Sequence, residues 1–161
     1  AVVIAHNAAF DRPFVEQRWP VFADMDWACS VKDIPWREEG FGRVVLIGSR
    51  AALGKENRVL YGASKAGVTG LGRTLALELA PHQVTVNVIA PGPIATDLFE
   101  HGQPVGSPAR IKIEASVPLG RVGKPDDIAN ATSFLLNDAT GYITGQCLNV
   151  CGGLSTGFNA H

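Results

Sequence analysis

Short apolar runs alternate with longer periodic ones along this chain. Val44–Ile47 and Val84–Ile89 are β-branched runs of the kind buried in a parallel sheet, and Gln146–Val150 reads as a third. Between the first two, Tyr61–Leu79 has a helical period, with Val68, Leu71, Leu75 and Leu79 on one side. Its small residues Gly62, Ala63, Ala66, Gly67 and Gly70 allow a ligand or another helix to come close. Pro125–Leu136 opens with a proline and two aspartates, which is the signature of a helix N-terminus. Phe99–Ser116 is rich at first in Gly, Pro and Ser, a composition that suits a surface loop or a segment that closes over a ligand. Strand, helix, strand, helix, strand implies an α/β layer architecture.

Composition narrows the class further. A chain of 161 residues can bury one good core. A formal net charge of −1, with no run of lysine or arginine, argues against nucleic acid as a partner. No apolar span reaches about eighteen residues and no signal-peptide pattern is present, so no membrane partner is expected and the cytoplasm is the expected location. Cys29, Cys147 and Cys151 are too few and too dispersed for a disulfide framework. Cys147 and Cys151 bracket Leu148–Val150 with no second pair or nearby histidine, so no metal site is expected. The chain has no initiator methionine and starts inside an apolar run, which reads as a fragment of something longer.

Candidate chemistry centres on Tyr61-Gly62-Ala63-Ser64-Lys65, one loop after Gly42–Ser49. Residues four apart on a helix share a face, so the Lys65 ammonium can lie beneath whatever the Tyr61 phenol touches. On spacing alone such a pair is usually a surface pair. Chemically it is also a means of making an acid: a free phenol titrates near ~10, and a cation a few ångströms away favours its ionised form. Ser49 would hydrogen-bond the same carbonyl oxygen and stabilise charge as it develops during hydride transfer. Proton plus hydride is carbonyl reduction, or alcohol oxidation in reverse. Pro91-Gly92-Pro93 reads alone as a strand-terminating turn, and next to a ligand as a bend that lets bare backbone approach it.

Five blocks extend this picture: Gly42–Ser49, Tyr61–Lys65, Val86–Thr96, Gly120–Ala129, and Ile143–Gln146 through Gly152-Gly153. In order, spacing and residue type they resemble the C-terminal half of the short-chain dehydrogenase/reductase family. That resemblance implies a partial Rossmann-like, doubly wound parallel sheet lacking its N-terminal strands, and a nicotinamide cofactor, NAD or NADP. It implies that Ser49 orients a carbonyl, that Tyr61 donates the proton, and that Lys65 supports the tyrosine and holds the nicotinamide ribose. It also places Pro91, Gly92, Ile94 and Thr96 around the nicotinamide, the Ile94 backbone meeting the carboxamide and Thr96 reaching toward carboxamide or phosphate. In the family the Phe99–Ser116 region is a flap over the substrate. The chain departs from the family pattern at Cys151, where an acidic residue is usual, and in a Ser49–Tyr61 loop one residue shorter than in many members.

The first forty residues read differently. Nothing before Ser49 has the form Gly-x-x-x-Gly-x-Gly or Gly-x-Gly-x-x-Gly, so the pyrophosphate cradle at a helix N-terminus is missing. Val2–Phe14, Trp27–Ser30 and Asp33–Trp36 resemble the middle of a proofreading-type 3′-5′ exonuclease, whose second motif has the form His-Asn-Ala-x-Phe-Asp. In that family the aspartate at the position of Asp11 is one of four carboxylates holding two metal ions. Two ions about 3.5 to 4 Å apart need several converging oxygens, and the remaining carboxylates have no counterpart here. Asp11 is accordingly expected to cap a short helix over Arg12–Arg18, and His6 to stand at a strand end. Ile4–Ala9 also resembles, more loosely, the strand and Asn-Asn-Ala-Gly turn that precede the Gly42 strand in reductases.

These readings divide the chain into an exonuclease-like segment, 1–41, packed within the same unit as a reductase half, 42–161. The expected substrate is a small carbonyl compound or alcohol. The missing cradle predicts weak or absent cofactor binding by this chain alone. An uncovered sheet edge and apolar layer predict a homo-oligomer, and the resemblance implies that the Tyr61–Leu79 helix and the terminal strand form its contacts. A catalytically silent fragment and an exonuclease remnant are the alternative functions.

Overall fold

The computed structural model describes residues 42–157. The segment 1–41, with His6, Asp11, Cys29 and the exonuclease-like motifs, lies outside the described residues. Three strands form one parallel sheet in the order β1-β2-β3: β1 is Arg43–Ile47, β2 is Thr85–Pro91 and β3 is Cys147–Val150. Val45 lies opposite Asn87, and Ile89 opposite Leu148. Among the described residues four α-helices accompany the sheet: α1 (Val59–Leu79), α2 (Asp97–Gly102), α3 (Pro108–Ser116) and α4 (Pro125–Leu136). This has the α/β layering expected from the alternation of periods and is the partial Rossmann-like fold that the resemblance implied.

The core forms where α1 lies on the sheet. Leu75 and Leu79 are fully buried, with Ala76, Val84 and Val86, and Val44, Leu46 and Leu71 pack against them. Alternation along the strands puts Val44 and Leu46 of β1, and Val86 and Val88 of β2, toward α1. Gly72 permits the close approach, since a β-carbon there would stand 2.5 Å from Val88 Cγ2. On β2 every residue from Thr85 to Ala90 is buried, as befits the central strand of a parallel sheet. α4 runs along all three strands.

Helix ends follow local chemistry. α1 begins two residues before the expected Tyr61, because Val59 and Leu60 already adopt helical geometry. In α4, the Asp127 carboxylate accepts the Lys124 amide at 2.7 Å, closing the first turn. The Phe99–Ser116 region, expected as loop or flap, holds two helices. Thr96 Oγ1 caps α2 by accepting the Phe99 amide at 3.3 Å, and Ser107 Oγ caps α3 by accepting the Arg110 amide at 3.2 Å. Pro108 in the first turn of α3 loses no hydrogen bond there.

Candidate active site

The candidate residues collect at the carboxyl edge of the sheet. That is where ligands enter open parallel α/β folds. β1 ends at Ile47, and Gly48 continues the ladder with its amide on the Ile89 carbonyl at 2.7 Å. Ser49 then caps a one-turn 3-10 helix, Arg50–Leu53, its Oγ accepting the Ala51 amide at 3.1 Å. The first turn of α1 abuts this turn: a β-carbon on Gly62 would lie 3.3 Å from the Ala51 carbonyl oxygen.

Tyr61 and Lys65 share one face of α1, as their spacing predicted. The Lys65 ammonium lies 5.9 Å from the centre of the Tyr61 ring and donates to the Ile47 carbonyl at 3.1 Å. That bond ties the helix to the end of β1, two residues before Ser49. Tyr61 is 46% exposed, so its phenol is open to a ligand. The Ser49 oxygen is already accepting, which leaves the hydroxyl proton to be donated outward.

The second wall of the site is the bend after β2. The Gly92 amide donates to the Val150 carbonyl at 3.0 Å, holding the bend to the end of β3. Ile94 pairs in parallel with Gly123, which donates to the Pro93 carbonyl at 2.9 Å and accepts the Ala95 amide at 2.8 Å. In this pattern Gly123 uses both of its own groups, and those of Ile94 face away from it. The Ile94 carbonyl takes the Thr96 amide at 2.8 Å, while no acceptor for the Ile94 N–H is found among the described residues. An unpartnered backbone donor at a strand-end bend can take an acceptor from a ligand. The Thr96 oxygen is used as the α2 cap, and its proton remains available.

Behind the bend lies a cavity of about 160 Å³. Ile94, Leu119, Val150 and Cys151 line it, with Arg121 and Asp127 at its rim. The two rim residues form a paired contact, Nη1 to Oδ2 at 2.8 Å and Nη2 to Oδ1 at 3.2 Å. The Arg121 guanidinium, followed by the Lys124 amide, lowers the Asp127 carboxyl from 3.8 to about 2. Cys151, which stands where the family pattern is acidic, is buried with Sγ 3.2 Å from Ser155 Oγ. No group of three or more metal-ligating side chains is found among the described residues.

One clamp escaped the sequence reading. Asn87 sits in the buried central strand, donating to the Ile143 carbonyl at 2.8 Å and accepting the Gln146 amide at 3.1 Å. Thr144 Oγ1 accepts the Val86 amide at 3.0 Å beside it. Together they deliver the chain into β3. A polar residue within the apolar run of β2 was the available signal.

Comparisons with known proteins bear on the family. The family model described as enoyl-(acyl carrier protein) reductase matches residues 4–155. The chain is 44% identical over 119 residues to nodulation protein G of Azospirillum brasilense, covering 73% of this chain and 47% of that protein. It is 46% identical over 115 residues to the 3-oxoacyl-(acyl-carrier-protein) reductase FabG of Haemophilus influenzae, covering 71% and 46%. The chain thus spans about half the length of these relatives. A substituted actinorhodin polyketide ketoreductase solved with NADPH superposes with a TM-score of 0.69 at 35% identity, covering 79% of this chain and 52% of that one. By its family match, its relatives and its fold, the chain belongs to the short-chain dehydrogenase/reductase family.

Proposed function

We propose that this chain carries the catalytic half of an NAD(P)-dependent oxidoreductase that interconverts a ketone and a secondary alcohol. The observation that carries this reading is the Lys65 ammonium, anchored on the Ile47 carbonyl at the end of β1 and set 5.9 Å from the centre of the Tyr61 ring. The residues present fit a nicotinamide: the Ile94 N–H, without an acceptor among the described residues, suits its carboxamide, and the Lys65 ammonium has donors beyond the one on Ile47 for a ribose hydroxyl. Bound there, the nicotinamide supplies or accepts the hydride. Ser49 keeps its proton and donates a hydrogen bond through its O–H to the carbonyl oxygen, fixing its direction. Tyr61 gives its phenolic proton to the same oxygen, and the neighbouring cation stabilises the charge left on the ring.

Tyr61→Phe tests the assignment, because it deletes the proton and keeps the ring. Cofactor-dependent turnover of a simple ketone by the 161-residue chain should fall by about 10²-fold or more, with circular dichroism unchanged. Undiminished turnover removes Tyr61 from the mechanism. Titration with NADH and NADPH is expected to show weak binding, since no glycine-rich pyrophosphate loop precedes Ser49.

The family match starts at residue 4 and so takes in Ile4–Ala9. This favours the reductase resemblance of that stretch over its exonuclease likeness. A second functional reading, an association unit without catalysis, draws support from Val59, Leu60 and Leu77 of α1, which are highly exposed.

A further inference from the structure

We propose that Arg110 is a positioning residue for the bend at Ile94, holding α2 in place and, through α2, the Thr96 cap. The inference rests on the functional reading only for why that bend matters. Its observations are independent of it.

Between Ile94 and Gly123 the chain leaves the sheet and returns, and the two-bond parallel bridge closes the stem of this excursion. Inside it, neither α2 nor α3 packs extensively on a strand or on a long helix. α2 has six residues, too short to be stable alone in water. Something must hold it, and Arg110 of α3 does. Only 5% exposed, Arg110 places Nε 2.7 Å from Glu114 Oε1 and Nη1 3.1 Å from Glu100 Oε1. The same Nη1 lies 3.4 Å from the Gln103 carbonyl, and the guanidinium carbon stands 5.1 Å from the centre of the Phe99 ring.

Three of these four partners belong to α2 or its C-cap. Glu114 is the exception: one turn along α3, it fixes the guanidinium so that the remaining N–H groups face α2. Phe99, held under the guanidinium, is also the residue whose amide donates to Thr96 Oγ1. The contact therefore runs from Arg110 through Phe99 and Glu100 to the Thr96 cap, two residues beyond Ile94. A planar fork is needed to serve several acceptors and stack on a ring at once, and lysine supplies only one of those functions.

The Phe99 amide reports the cap directly, so its hydrogen exchange followed by NMR on the full chain is the test. Arg110→Met should speed Phe99 exchange by about tenfold or more while α4 amides keep their rates. Arg110→Lys should restore part of that protection. Glu100→Ala, which cuts the link to α2 and leaves the Arg110–Glu114 pair, should speed Phe99 exchange and spare the amides of α3. If Arg110→Met does not fold, Glu100→Ala decides. Unchanged Phe99 exchange in Glu100→Ala, or equal acceleration across α4 in Arg110→Met, overturns the assignment. No cofactor enters this experiment, so undiminished turnover in Tyr61→Phe would remove the proposed function and leave this result standing.

Discussion

Gly92 has no room for a side chain. A β-carbon there would lie 2.8 Å from the Cys151 Cα and 2.9 Å from its Cβ, and backbone atoms cannot turn aside. Gly92→Ala must push the bend after β2 away from the end of β3, and overpacking of this kind costs about 1–3 kcal/mol. Urea denaturation should show that loss, and an unchanged midpoint would mean that the bend yields to a methyl group without cost. Asp127 offers a second residue-scale test. Its carboxyl is lowered from 3.8 to about 2, chiefly by Arg121. The folded state therefore holds this proton less tightly than the unfolded chain does. The resulting stability is present above the unfolded value and is lost as pH falls from about 4 toward about 2. The gap in denaturation midpoint between the natural chain and Asp127→Asn should narrow over that interval, and a gap constant down to pH 2 would contradict the pairing. Tyr61 and Lys65 were legible from sequence because a helix fixes which faces its residues share. The partners of Arg110 were not, since they depend on where α2 ends and how α3 turns back.

At the scale of elements, the strands and long helices were readable where one period dominates. The apolar stripe Val68, Leu71, Leu75 and Leu79, its last two members fully buried, carried α1, and the proline followed by two aspartates carried α4. α2 and α3 were hidden because their stability is not local. Each is short, and the capping hydroxyls of Thr96 and Ser107 occur among Gly, Pro and Ser that also compose loops. The delivery of the chain into β3 depends on a similar non-local bond set around Asn87. Asn87→Ala strands the Ile143 carbonyl and the Gln146 amide inside the fold, at a cost of about 1–3 kcal/mol. Leu75→Ala, which empties the core under α1, should cost more, about 2–5 kcal/mol. If thermal unfolding ranked the two in the opposite order, the clamp would be the larger stabiliser and the core less closely packed than its burial implies.

At the scale of the molecule, one edge gathers the chemistry and another surface remains apolar. Strand ends, the Ser49 turn, the Tyr61 face and the Ile94 bend meet at the carboxyl edge because parallel strands all finish on that side. Leu53, Val59 and Leu60 stand 66%, 82% and 86% exposed around the start of α1, and Leu77 is 78% exposed further along it. α1 thus carries apolar side chains on its outer face as well as on its core face. For a single copy in water that arrangement is unfavourable, and covering such residues is worth roughly 25 cal/mol per Å² of apolar surface. Two copies meeting through α1 would cover them in a self-complementary contact. Sedimentation of the chain at micromolar concentration should therefore give a mass above that of one copy, and Leu60→Glu together with Leu77→Glu should return it to one. A single-copy mass for the unsubstituted chain would exclude α1 as an association face, and with it the reading of this protein as an association unit.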